Sequence, residues 1–162
     1  MISPRIVTIG VYGFDAESFF AALQHAQVDL LCDIRQRRGV RGAQYAFANS
    51  QRLQARLAEL GIRYLHCQEL APSPAVRQAQ AMADSRQGVA KRDRTALDPA
   101  FVTAFVRLHL DGFSPQAFLD ELPDGVGTIA FLCVEHAPEA CHRSLVAAAF
   151  VDQLGLPVEH IV

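Results

Sequence analysis

The chain has 162 residues, of which 51% are hydrophobic and 20% charged, and its formal net charge is −2. That length suffices for one domain with a full core, and the composition excludes intrinsic disorder. No apolar stretch reaches the ~18 residues of a membrane-spanning helix. The small negative charge excludes a global attraction to nucleic acid or anionic membranes, so any basic surface must be local.

The opening Met-Ile-Ser-Pro-Arg leads straight into a strand pattern, without the charged-then-apolar layout of a signal segment, so a cytoplasmic location is expected. Ile6 to Ile9 form that strand, and Gly10 to Gly13 turn the chain. Asp15 caps a helix whose apolar positions Phe19, Phe20, Leu23 and Ala26 recur at three- and four-residue steps. Val28 to Cys32 is a strand-length apolar run ending at Asp33-Ile34-Arg35, and a loop with Gly39 and Gly42 follows. Asn49 or Ser50 caps a helix carrying Leu53, Leu57 and Leu60, Gly61 ends it, and Ile62 to Cys67 reads as a third strand. This β-α-β-α-β order requires crossover connections and hence a parallel sheet.

The middle is more polar. Pro72 and Pro74 precede a short helix near 74–83, and a mobile basic loop carrying Arg86, Lys91, Arg92 and Arg94 is expected after it. Asp98-Pro99 and Ser114-Pro115 each start a helix, the second ending near Leu122. Residues 128–133 form another strand, and a helix from about Cys141 runs to Leu154, where Gly155 and Pro157 stop it. Val158 to Val162 add a last strand. The expected fold is one α/β domain over 1–162, with a mainly parallel sheet of about five strands and helices on both faces.

The segment 128–144 carries the densest chemistry. An apolar strand delivers Cys133 and Glu135 to a loop, and Cys141-His142-Arg143 follows where a helix begins. In parallel α/β sheets, ligands bind at this carboxyl edge, and a helix N-terminus adds free N–H groups for an anion. Cys141 has the address of a nucleophile, because helix start, His142 and Arg143 all favour the thiolate. Cys133 is the second candidate, Glu135 and His142 suit proton transfer, and Arg143 suits clamping of a phosphate, sulfate or carboxylate. Alternatively, Cys133 is a buried strand residue and Arg143 ties the loop down through Glu135. Cys133, His136, Cys141 and His142 are also of zinc-ligand type. Their spacing matches no zinc motif, however, and adjacent helical residues diverge by ~100°, so neither a metal nor a cofactor is expected. Cys32 and Cys67 read as reduced core residues.

Arg35, Arg37, Arg38 and Arg41 form a second cluster after the second strand, on the same sheet edge if the sheet is parallel. Four guanidiniums so close need an anion or carboxylates as compensation, and Tyr45 and Phe47 just beyond are placed to stack on a base. Asp33 is either a loop anchor or the group that orients Arg35 or His142. Tyr64 and His66 alternate along a strand and share a face. Gly10-x-x-Gly13 is a turn or a weak phosphate-loop signal.

The layout is distantly similar to rhodanese-type sulfurtransferases and the phosphatases shaped like them, in which a strand ends in Cys and Arg begins the next helix. Leu30 to Arg35 resembles the Asp-x-Arg strand end of rhodaneses. The nine residues between Cys133 and Arg143 make the loop much longer than theirs. A closer resemblance is to the domain of unknown function 488 family. It rests on Thr8-Ile9-Gly10, Asp33-Ile34-Arg35, Phe47, Gly61 to His66, and Cys133-x-Glu135 followed by Cys141-His142-Arg143. Val11-Tyr12, Gln36-Arg37-Arg38-Gly39 and Ala71-Pro72 depart from it. The resemblance implies an α/β fold and a shared polar site, but no particular reaction.

Together these features describe an enzyme acting on an anionic, phosphate-bearing substrate, with nucleotides and short nucleic acids among the candidates. Cys141 or Cys133 would supply a nucleophile, with Glu135 and His142 moving protons. Arg143, Arg35, Asp33, Arg37, Arg38, Tyr64 and His66 would line the substrate site. The alternatives are a non-catalytic nucleotide- or nucleic-acid-binding module and a zinc-stabilised protein.

Overall fold

In the computed structural model, which describes residues 3–88 and 95–162, five strands form one sheet. They are β1 (Arg5–Gly10), β2 (Leu30–Asp33), β3 (Arg63–His66), β4 (Thr128–Cys133) and β5 (Val158–Ile161). Their order is β3-β2-β4-β1-β5 and every pairing is parallel. The central strand β4 is buried along its whole length and β1 beside it from Ile6 to Gly10, because both faces of the sheet are covered.

Alternation assigns the two cores. Ile6, Leu30, Cys32, Ile129 and Phe131 point to one face, and Val7, Ile9, Leu31, Ala130 and Leu132 to the other, as the two-residue period requires. On the second face pack α1 (Ala16–His25) and α2 (Ser50–Glu59), through Phe19, Leu23, Leu53 and Leu57. On the first lie α3 (Pro74–Gln87), α4 (Pro99–Phe105), α5 (Pro115–Asp120) and α6 (Arg143–Leu154). Their Val76, Phe101, Phe105, Phe118, Val146 and Phe150 close that core. The Phe131 and Phe150 ring centroids are 5.4 Å apart, and Phe118 packs edge-on to Phe150, geometry aromatic pairs favour.

The local start signals act as their chemistry dictates at Asp15, Asp98 and Ser114, each of which accepts a backbone N–H of its helix. Elsewhere the boundaries move. Asn49 precedes α2, but its side chain accepts the Val40 N–H and so braces the preceding loop instead of capping. Helix α3 runs on to Gln87, where Gly88 in the left-handed region ends it, so it is longer than the 74–83 expected. Helix α4 continues as a wide π turn at Val106–Leu110. Helix α6 begins at Arg143 rather than Cys141, because a 3-10 turn at Pro138–Ala140 delivers Cys141 in extended conformation. Lys91, Arg92 and Arg94 of the expected basic loop lie outside the described residues.

The register fixes the functional edge. Asp33 pairs with Leu132 and Gly10 with Cys133, so β1, β2 and β4 end side by side. Both sequence clusters therefore emerge at one carboxyl edge.

Candidate functional site

The wall supplied by β2 is an ion pair. Asp33 Oδ1 accepts Arg35 Nε–H at 2.8 Å and the Arg35 backbone N–H at 3.2 Å. Oδ2 accepts Arg35 NH2 at 2.8 Å and the Tyr64 hydroxyl at 2.7 Å. Side-chain exposure is 1% for Arg35 and 0% for Asp33, so each charge depends on the other for solvation. Arg35 NH1 is buried without a hydrogen-bond partner among the described residues. Asp33 thus orients Arg35 rather than His142. Arg38 reaches the Tyr64 oxygen at 3.4 Å, and His66 Nε2 lies 3.1 Å from the Arg35 carbonyl. Burial, with the bond to Asp33 and its charge, pushes the Tyr64 phenol up, against the nearby Arg38. Tyr64, His66 and Arg38 therefore buttress the ion pair.

The second wall is the connection from β4 to α6. Arg143 is fully buried, and its guanidinium is spent on that connection. NH1 donates to the Glu135 carbonyl at 2.5 Å, NH2 to the His136 carbonyl at 3.0 Å, and Nε to Thr8 Oγ1 at 3.2 Å. The loop thus turns carbonyls inward on a cation, which is unlike an N–H cradle for an anion. Arg143, expected to clamp a substrate anion, is fully buried and bonds with each of its three nitrogens to this loop or to Thr8. The Gly10-x-x-Gly13 pair is explained by the same loop. A Cβ on Gly10 would fall 1.9 Å from the Glu135 carbonyl oxygen, and one on Gly13 (φ +93°) would fall 2.4 Å from His136 Nδ1. Gly10 thus makes room for the Glu135 backbone and Gly13 for the His136 ring, which accounts for the pair as a close-approach turn.

Between the walls lies a sulfur–imidazole cluster. Cys133 Sγ is 3.4 Å from His142 Nδ1 and 3.5 Å from Glu135 Oε2. Cys141 Sγ is 3.9 Å from the same Nδ1, and the His142 Nε2 lies 2.8 Å from the Ile34 carbonyl. A carbonyl only accepts, so Nε2 carries the proton and Nδ1 faces the two sulfurs. Burial opposes ionisation of Cys141, but the bonds from Cys133 and His142 and the charges of His142 and Arg143 outweigh it and hold the thiol well below its ordinary range. Burial likewise opposes charging of His142, and Cys141 and Glu135 outweigh it upward. By contrast, burial, with the bond to Cys67, raises the Cys32 thiol well above the ordinary range.

A cleft of about 860 Å³ opens at this edge. Of the residues expected at the site, Arg35, Arg37, Cys133, Glu135 and His142 line it, whereas Asp33, Arg38, Tyr64, His66, Cys141 and Arg143 do not. Cys141 is 1% exposed, unlike a thiol at an open helix start. The extended backbone before α6 turns its sulfur inward, and Cys133 is the thiol on the cleft. Tyr45 lines the cleft as expected and pairs with Tyr12 at 5.1 Å between ring centroids. Phe47 instead packs on Phe19 and Phe20 in the core. His136 is not part of this cluster, its Nδ1 lying 3.2 Å from the Tyr12 carbonyl.

Helix α3 supplies what sequence reasoning missed. Arg77, Gln80 and Asp84 line the cleft, and Gln80 bridges to Asp84 and to the Asp98 N–H at the start of α4. Their three- and four-residue spacing puts them on one face of the helix.

Neither a curated protein nor a solved structure matches the chain significantly. A family profile described as "Domain of unknown function DUF488" matches residues 15–150, a span holding both walls of the cleft and the sulfur–imidazole cluster. The chain therefore belongs to the DUF488 family.

Proposed function

We propose that the protein is an enzyme that binds an anionic, phosphate-bearing ligand in the carboxyl-edge cleft and presents it to Cys133, Glu135 and His142. The observation that carries this reading is Arg35. Its guanidinium is held bidentate by Asp33, it lines the cleft, and its buried NH1 lacks a partner among the described residues. A buried charged donor left unpaired is costly, and a ligand oxygen would satisfy it. Arg37, Arg41 and Arg77 share the lining with Arg35, whose own charge Asp33 compensates, and among the described residues the carboxylates there are Asp84 and Glu135, in a chain whose net charge is −2. The basic charge is thus concentrated where a phosphate would sit. The Tyr12–Tyr45 pair on the same lining offers an aromatic surface for a base, which favours a nucleotide over bare phosphate.

Thermal unfolding at fixed ionic strength tests the reading. Pyrophosphate and mononucleotides should raise the melting temperature, because a ligand selective for the folded state stabilises it by mass action. Arg37→Ala/Arg77→Ala should reduce the shift, and Arg56→Ala, whose residue pairs with exposed Glu59, should leave it intact. Glu135→Gln should keep binding while losing turnover of the ligand that binds. Absence of any shift from the whole panel would refute the proposal. Binding without turnover in the wild type would leave a binding module.

A further inference from the structure

Cys133, Cys141 and His142 each offer one ligand atom, and these atoms lie within 4.8 Å of one another. Two adjacent helical residues would point about 100° apart and could not share an ion. Cys141 is extended (φ −134°, ψ 142°) and the helix starts only at Arg143, so the adjacent side chains converge. We infer that these three residues form a metal centre for one zinc-type divalent ion, with a fourth coordination position facing the cleft.

The dimensions suit it. Zn–S distances of about 2.3 Å and Zn–N distances of about 2.0 Å in a tetrahedron put N and S about 3.5 Å apart, against 3.4 and 3.9 Å from His142 Nδ1 to the two sulfurs. The imidazole is already oriented for the task. Its Nε2–H is held by the Ile34 carbonyl at 2.8 Å, the outer-shell bond that ligating histidines make, and this directs the Nδ1 lone pair at the sulfurs. Charge also balances: two thiolates neutralise a divalent ion, so the buried site carries no net charge. Thiolate and imidazole donors select a borderline-soft ion over magnesium or calcium.

Access separates this site from a purely structural one. Cys133 and His142 line the cleft and Cys141 does not, so the open position is on the cleft side. Glu135 Oε2, 3.5 Å from Cys133 Sγ, stands on that side too. Three protein ligands with an open position is the arrangement of zinc that takes a water or a substrate oxygen. The centre requires no anion in the cleft and the phosphate site requires no metal, but the two share Cys133 and His142, which with an ion bound would hold it rather than act on the substrate directly.

Anaerobic titration of the reduced full chain with cobalt(II) tests the inference. About one equivalent should bind, with thiolate-to-cobalt charge-transfer absorption, and zinc should displace it. Cys133→Ser/Cys141→Ser should abolish the absorption, His142→Ala should weaken binding, and Cys32→Ala/Cys67→Ala should retain both binding and absorption. If the first double variant does not fold, the wild type still decides: removing zinc with a chelator should lower its melting temperature, and zinc should restore it. No charge-transfer band, a band that survives in Cys133→Ser/Cys141→Ser, or a band lost in Cys32→Ala/Cys67→Ala overturns the inference. A pyrophosphate-induced melting shift measured on the same metal-free samples reports the anion reading separately.

Discussion

Replacing Arg143 with Met tests whether this arginine holds the loop rather than a substrate. Methionine keeps much of the volume, so the cavity contribution is small, and the loss is mainly electrostatic. The Glu135 and His136 carbonyls and Thr8 Oγ1 each lose a charged donor, at 2.5, 3.0 and 3.2 Å respectively. Each unpaired buried group costs about 1–3 kcal/mol, and the relief of a buried charge offsets part of the sum. A net loss of about 3–5 kcal/mol follows by comparison with broken buried pairs. For a chain of this size that is a fall of roughly 6–20 °C in melting temperature. Urea and thermal unfolding, with and without pyrophosphate, provide the assay. The pyrophosphate shift should survive in whatever fraction of the variant folds. A variant of near wild-type stability that has lost the shift would refute this assignment and return Arg143 to the ligand.

Asp33→Asn strands the Arg35 charge and should cost about 3 kcal/mol, whereas Tyr64→Phe removes one bond to the same carboxylate and should cost about 1 kcal/mol; equal losses in urea unfolding would contradict the ion-pair account. Gly10→Ala drives a Cβ to 1.9 Å from the Glu135 carbonyl oxygen and should cost about 3 kcal/mol. Gly61→Ala, with φ +73° but nothing within 4 Å, should cost only about 1 kcal/mol, and the opposite ranking would refute the close-approach argument. Stability should also fall on acidification below the ordinary histidine value near 6.5, because partial desolvation, joined at His160 by the charge of Arg143, holds His109 and His160 below it. Between the ordinary value and the lowered one the unfolded chain takes protons that the folded chain refuses, so the contribution is complete above 6.5 and is lost as pH falls. His109 accepts the Ser73 N–H through Nε2, and His160 Nδ1 is 2.6 Å from Thr8 Oγ1, which already accepts from Arg143; His109→Asn/His160→Asn should flatten the pH profile of the urea midpoint.

Strand runs and caps were legible because they are local. Val28 to Cys32, Asp15 and Ser114-Pro115 carry their signals within a few residues, and the parallel sheet follows from the order of the elements. The clustering of Arg35 with Cys133 and Glu135 was legible for the same reason, since parallel strands must end on one edge. What the sequence hid depends on contacts across the chain. Arg143 looks like an anion clamp until each of its nitrogens is seen to bond to Thr8 or to the 135–136 carbonyls. Cys141 looks like an exposed helix-start thiol until the 3-10 turn at Pro138–Ala140 buries it. Phe47 looks like a stacking residue beside Tyr45, but only Tyr45 reaches the cleft, because the 3-10 turn at Ala43–Ala48 points Phe47 at Phe19. Arg77 was hidden for a different reason: an alanine-rich helix with few apolar anchors gives a weak periodic signal.

The central claim, that the cleft takes a phosphate-bearing ligand on Arg35 beside Cys133 and Glu135, is tested most directly by a crystal structure with pyrophosphate at a concentration that saturates the melting shift. Difference density for a phosphate group hydrogen-bonded to Arg35 NH1 and flanked by Arg37 or Arg77 is the predicted result. Density only at the outer surface, or a cleft without pyrophosphate under those conditions, would contradict it.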